Sequence, residues 1–190
     1  MNTEKIPGLE YLFSSLLLNL QNNLCFTLDE EVRKCTPNRL AKMYSNELLM
    51  GYKQDPKTIL SKRFKSNSND MIIIKDIEFV SLCAHHWLPF IGHMHFGYIP
   101  NKKEIVGLSK IPRLVNCFAR RFQVQENLTS EIVDAFYNIV KPKGCIVISE
   151  AQHLCAQIRG VQNKEAKMKV SAIRGCFNND KIRSEFLKLM

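Results

Sequence analysis

Ser81-Leu82-Cys83-Ala84-His85-His86-Trp87-Leu88-Pro89-Phe90 gathers one thiol and two imidazoles into four consecutive positions. A thiolate and a neutral imidazole are ligands that borderline-soft Zn²⁺ takes. In an extended strand Cys83 and His86 point to opposite faces. Joint ligation therefore requires the chain to turn here, and Pro89, with the end of the apolar run before Cys83, places that turn. A tetrahedral ion needs at least one more ligand from elsewhere in the chain.

The totals bound the search. A chain of 190 residues, 45% hydrophobic and 24% charged, is long enough for one good core with a small annex and too apolar for long disorder. Seven cysteines, odd in number and scattered through apolar segments, do not form a disulfide framework and read as reduced thiols. Runs such as Leu16-Leu17-Leu18 are too short to span a membrane, and no basic stretch with an apolar signal core opens the chain. A soluble, cytoplasmic protein without a membrane partner is the expectation. The net charge of +9 admits an anionic partner, either nucleotide phosphate or nucleic acid.

Upstream of the opening stretch the pattern is helical. Leu9, Leu12, Phe13, Leu16, Leu17 and Leu20 recur at helical spacing from about Pro7 to Asn23. Asp29-Glu30-Glu31 opens a short second helix, and Thr36-Pro37 is read as the start of a third, carrying Arg39 and Lys42 one turn apart. The polar run from Ser61 to Asp70 marks the change to sheet, dividing a helical region, 1–65, from a main domain, 66–190. Met71-Ile72-Ile73-Ile74 and Ile77-Glu78-Phe79-Val80 read as strand leading into Cys83.

Downstream, Ile91 to Ile99 alternates, with Met94, Phe96 and Tyr98 on one face and His93 and His95 on the other. Two histidines on one strand face can chelate, although exposed histidines are the commoner case. Ser109 is read as the cap of a helix with Ile111, Leu114, Val115, Phe118 and Phe122 inward. Lys110 and Arg113 in its first turns oppose the helix dipole, an arrangement that a bound anion relieves. Gln123-Val124-Gln125-Glu126 reads as a polar loop before a helix from about Thr129 to Val140. Cys145-Ile146-Val147-Ile148 is a buried strand, and Ala151 to Arg159 is read as continuing extended. On that reading His153, Cys155 and Arg159 share one face, which makes Cys155 the choice for the missing ligand, although a structural thiol is the ordinary use of a lone cysteine. A strand from Lys167 to Phe177 and a helix capped by Asp180 close the chain.

In this order and spacing, Thr36-Pro37-Asn38-Arg39-Leu40-Ala41-Lys42-Met43, Cys83-Ala84-His85-His86, Gly107-Leu108-Ser109-Lys110, Gln123-Val124-Gln125-Glu126, His153-Leu154-Cys155 and Arg159-Gly160-Val161 resemble GTP cyclohydrolase I, a family of zinc enzymes. The likeness runs on to Glu185-Phe186-Leu187. It implies an α+β tunnelling fold, in which an antiparallel sheet with helices packed on one side is completed into a barrel by oligomerisation, with an N-terminal helical annex. It also implies a homo-oligomer, a decamer in the family, with active sites at subunit interfaces.

By position, the resemblance makes Cys83, His86 and Cys155 the Zn²⁺ ligands, with the fourth place open to water. The implied reaction converts GTP to 7,8-dihydroneopterin triphosphate and formate, the first step of pterin and folate synthesis. His85 and His153 become proton-transfer groups, suited by imidazole's titration near neutrality. Glu126, assisted by Gln125, holds the guanine edge. Lys110, Arg113 and Arg159, with Arg39 and Lys42 reaching in, bind the triphosphate, with Ser109 close by. Nucleic acid is not an expected partner, because aromatics do not interleave with the basic residues.

Two features depart from the family pattern. Ala84 stands where the family has glutamate, and Met168, Val170 and Ala172 replace a threonine-rich strand. The first leaves open a related enzyme that acts on another purine or pterin, or that releases a ring-opened intermediate. A zinc-stabilised module that binds nucleic acid is the reading from a different class.

Overall fold

The computed structural model describes residues 6–190 and divides into two compact units between Met50 and Gly51. In the first unit, α1 (Pro7–Leu24) packs on α2 (Glu30–Met43). The Asn38 side-chain amide donates to Glu10 Oε2 at 3.0 Å, and Phe13 stacks on Tyr44 with ring centroids 5.6 Å apart. The apolar spacing that predicts α1 is matched, yet none of its residues is buried, and Tyr11, Leu12, Leu16, Leu18 and Leu24 are exposed.

The separate second and third helices expected around Pro37 are one continuous helix, so Thr36 is no cap. An interior proline forfeits a backbone hydrogen bond at a cost of about 3 kcal/mol. Here Pro37 and Ala41, one turn apart, are the buried residues of α2. Packing of α2 on α1 carries the helix through a break that local sequence alone would impose.

The second unit is built on a five-stranded sheet. Its strands are β2 (Ile72–Cys83), β3 (Pro89–Ile99), β5 (Phe122–Gln123), β6 (Gly144–His153) and β7 (Met168–Gly175), in the order β5-β2-β3-β6-β7. All neighbours are antiparallel except the short parallel edge of β5 on β2. The two apolar runs before Cys83 form one strand, interrupted by a bulge where Asp76 takes φ 55°. A separate two-stranded ribbon joins β1 (Arg63–Lys65), inside the polar run, to β4 (Glu104–Val106).

Period-2 alternation sends Phe79, Met94, Phe96, Tyr98, Cys145 and Val147 to one face, where α4 (Lys110–Ala119) and α5 (Gln125–Val140) cover them. Phe136 of α5 packs edge-on against Phe96 and Tyr98, with centroids 4.8 and 5.0 Å apart. Burial pushes the Cys145 thiol up to about 12, which suits a packing residue rather than a reactive one. Met168, Val170 and Ala172 pair with Ala151, Ser149 and Val147 on this same face, so Ala172 packs into the chain's own core.

On the opposite face the short helix α7 (Asp180–Leu189) covers one end of the sheet through Phe186, which packs with Ile146 and Phe177. Gly97 makes room for it: a Cβ there would lie 2.6 Å from the Phe186 ring. Asn179, not Asp180, caps this helix, accepting from the Lys181 amide at 2.9 Å. No helix among the described residues is long and apolar enough to cross a membrane.

Candidate active site

The turn expected after Cys83 is present, and its hydrogen bonds explain its shape. Cys83 ends β2 and Pro89 begins β3. The Cys83 amide donates to Leu88 O at 2.9 Å, and the Trp87 amide donates to Cys83 O at 2.8 Å. The Ala84 amide donates to Gln123 O at 3.0 Å, fastening the turn to β5. Trp87 has φ 58°, an uncommon conformation for so bulky a residue, and its ring stacks on Phe122 at 5.0 Å. The backbone thus doubles back, and His86 Nδ1 comes to 3.7 Å from Cys83 Sγ.

The third member arrives from the end of β6, and not by the route expected. Strand ends at His153, and Leu154–Gln157 coils into a helical turn, α6. His153, Cys155 and Arg159 therefore do not share one extended face as expected. Leu154, Ala156 and Gln157 favour helix, and winding begins as soon as β6 outruns its pairing with β3 at Phe90–His153. Cys155 nevertheless meets the turn: donor atoms of Cys83, His86 and Cys155 all lie within 4.8 Å of one another.

This set fits a tetrahedral metal. Metal–ligand lengths of about 2.3 Å to sulfur and about 2.0 Å to nitrogen require a sulfur–nitrogen edge of about 3.6 Å, close to the 3.7 Å between Cys83 and His86. Burial, followed by the neighbouring Cys83, pushes the Cys155 thiol up. A divalent cation held by this set would reverse that preference and keep both sulfurs as thiolates. His93 and His95 are not part of this cluster; His95 lies beside Asp76, 3.9 Å from its carboxylate.

Behind the metal cluster stands a buried polar network. Gln125 and Glu126, expected in a loop, are the first residues of α5. Gln125 is wholly buried, and its amide nitrogen donates to Ser149 O, Ser149 Oγ and Met168 O at 3.3, 3.0 and 3.0 Å. With the nitrogen so committed, Oε1 faces His153 Nε2 at 2.8 Å and accepts its proton. Thr129 Oγ1 donates to Gln125 O at 2.7 Å and lies 2.8 Å from Ser149 Oγ, closing the network. Gln125 thus has partners other than the substrate edge expected for it.

His153 is held on its face as well, stacked on Phe90 with centroids 4.7 Å apart and planes 3° from parallel. Burial lowers its pKa, and the Glu126 carboxylate pushes the other way. The net direction is down, so the ring is neutral at pH 7, with its proton on Nε2 and Nδ1 open as a base. His85 is different: it is exposed, beside His86 with centroids 6.3 Å apart.

The cationic residues are placed as follows. Arg159 is exposed, with Nη1 2.9 Å from His86 Nε2. Ser109 precedes α4 in a helical conformation and its hydroxyl makes no cap bond, while Lys110 and Arg113 occupy the first turns of that helix. Among the described residues, no side-chain hydrogen bond or ion pair ties Ser109, Lys110 or Arg113 to the metal cluster. Arg39 and Lys42 belong to α2 in the first unit, where Arg39 pairs with Glu31 at 2.7 Å. Phe90, Ser149 and Thr129 were not foreseen as supports of the site. The available signal was two hydroxyls standing alone in apolar segments, which demand buried partners.

A mostly antiparallel sheet backed by α4 and α5, with a Cys–His–Cys cluster at one end of its central hairpin, defines a tunnelling-fold protein with a metal-competent site. The chain belongs to the GTP cyclohydrolase I family, whose family model matches residues 15–190. It is 52% identical over 157 residues to GTP cyclohydrolase 1 of Campylobacter jejuni subsp. doylei, covering 82% of each chain. The protein of the same name from Campylobacter lari is 51% identical over 157 residues, again 82% of each chain. That of Wolinella succinogenes is 46% identical over 154 residues, covering 80% of this chain and 81% of its own. A crystal structure of archaeosine synthase QueF-Like in the apo form aligns with a TM-score of 0.48 at 16% identity, covering 57% of this chain and 97% of that one.

Proposed function

We propose that this chain hydrolyses and rearranges GTP to 7,8-dihydroneopterin triphosphate and formate, as the first step of pterin and folate synthesis in the cytoplasm. It does so with zinc held by Cys83, His86 and Cys155. The observation that carries the reading is the meeting of these three donors within 4.8 Å from two separate parts of the chain. Two thiols and one imidazole leave a fourth tetrahedral position, the pattern of a catalytic rather than a structural zinc.

Zinc, when bound, supplies Lewis-acid activation of water at neutral pH. The protein's own groups do the rest. His153 takes a proton at Nδ1 while Gln125 holds Nε2–H, and returns it as the ring opens. His85 serves a second proton transfer from the exposed side of the turn. Glu126 accepts from guanine N1–H and the 2-amino group, and the N-terminus of α5 stabilises its charge. Lys110, Arg113 and Arg159, with Arg39 and Lys42, neutralise the triphosphate, and Ser109 offers a hydroxyl free of capping duty. The family's glutamate beside His85 is Ala84 here, so the early and late halves of the reaction are to be measured separately.

The subunits are expected to close their sheets into a barrel as a homo-oligomer, a decamer with active sites at the interfaces. The free edge of β7 and the exposed apolar residues of α1 supply surfaces for it. Incubating zinc-loaded protein with GTP, while following formate and the fluorescence of the oxidised pterin, tests the function. Both products are expected. Formate without pterin would move the assignment to release of a ring-opened intermediate, and neither product would overturn it.

A further inference from the structure

We infer that Arg159 is a positioning residue that couples metal loading to phosphate binding, because its guanidinium and a metal compete for opposite ends of the His86 ring. The inference rests on the metal and triphosphate sites proposed above. Arg159 Nη1 lies 2.9 Å from His86 Nε2. A guanidinium only donates, so Nε2 accepts with its lone pair, and the single proton of the neutral ring sits on Nδ1. Nδ1 is the nitrogen that faces Cys83 Sγ at 3.7 Å. A metal shared with Cys83 takes that nitrogen, which obliges the proton to sit on Nε2 instead. Nε2–H and the Arg159 N–H are then two donors pointed at each other, and the bond is lost. The ring itself neither gains nor loses a proton; it exchanges one tautomer for the other.

The released guanidinium has somewhere to go. Arg159 is exposed, follows the end of α6, and has no carboxylate within ion-pairing distance among the described residues. Gly160 next to it takes φ 63° and lies in open space, and Arg159 is itself exposed, so solvent surrounds the side chain as it re-aims. A phosphate oxygen supplies the acceptor that His86 has withdrawn. Metal therefore strengthens phosphate binding, and phosphate strengthens metal binding by the same factor, as linkage requires.

Cobalt(II), whose thiolate absorption reports occupancy, is the probe. Arg159→Met is expected to bind Co²⁺ about tenfold more tightly than the wild-type chain, a coupling of the usual size. Arg159→Ala shifts affinity in the same direction. Inorganic phosphate should raise the Co²⁺ affinity of the wild type and leave that of Arg159→Met unchanged. A merely structural arginine would weaken metal binding when removed, so equal or weaker Co²⁺ affinity in the variants overturns the inference. A phosphate effect that survives in Arg159→Met overturns it too, and absence of thiolate absorption in the wild type removes the metal site along with it. Turnover of GTP is not read in these titrations, so inactivity toward GTP would sink the proposed reaction and leave the coupling standing.

Discussion

His85 and His153 are the same side chain in opposite settings. His153 is half-buried, stacked on Phe90 and fixed at Nε2 by Gln125, whose amide is itself pinned by Ser149 and Met168. His85 stands exposed on the hairpin turn, with His86 as its ring neighbour. One imidazole is preorganised by its own chain, its tautomer chosen before substrate arrives. The other depends on what the turn meets: substrate, or a neighbouring subunit. If the two serve as the proposed proton-transfer pair, one member is fixed by its own chain and the other is left exposed.

The severest challenge to this comparison removes the metal site proposed beside both histidines. Cys155→Ser is expected to lose bound metal and to lower formate release by at least about a hundredfold. Retention of full metal content in that variant would mean that the hairpin turn holds the ion without α6. Next, His153→Ala and His85→Ala should each lower kcat by about 10²–10⁴-fold, with metal content preserved in both. If His85→Ala alone were silent, the exposed member would drop out of the chemistry.

Gln125→Leu sharpens the contrast on the buried side. It frees the His153 tautomer and removes the buried amide donor from Ser149 Oγ and Met168 O, and a supporting partner of this kind is worth about 10–100-fold. The loss should fall on kcat more than on KM, together with a stability loss of about 1–3 kcal/mol in urea unfolding. Phe90→Leu, which removes the stacked ring and keeps an apolar side chain, should cost kcat less, in line with about 0.5–1.5 kcal/mol for such a contact.

The smallest effect is one of pH. Burial favours neutral His153, so the acid limb of kcat should lie below the ordinary imidazole range. Glu126 opposes that shift, and its removal lowers the pKa further. Glu126→Gln should therefore move the acid limb of its residual activity to lower pH. A limb that moved upward would show that Glu126 does not act on His153 through its charge.

The three donors of the metal-competent cluster were legible in the sequence because ligand chemistry belongs to residue type. Cys83 and His86 required a turn, and the turn is there. Strand parity points to Cys155 but the helical turn α6 breaks that parity, and the residue still reaches the cluster because β6 pairs with β3 as far as Phe90–His153, at the hairpin end of the sheet. Gln125 looked like part of a polar loop, since a polar residue before an apolar periodic segment reads equally as loop or as first helical turn. Pro37 looked like a helix start, since local propensity knows nothing of α1.

From the sequence alone came the family, the order of the candidate residues and the types of donor that meet in the Cys–His–Cys cluster. All of these depend on side-chain identity and spacing along the chain. Tertiary structure decided which nitrogen of His153 carries its proton, that Gln125 serves a histidine, and that Arg159 lies against His86. These depend on the register of strands far apart in sequence, and a hydrogen bond exists only where that register brings a donor within about 3 Å of an acceptor.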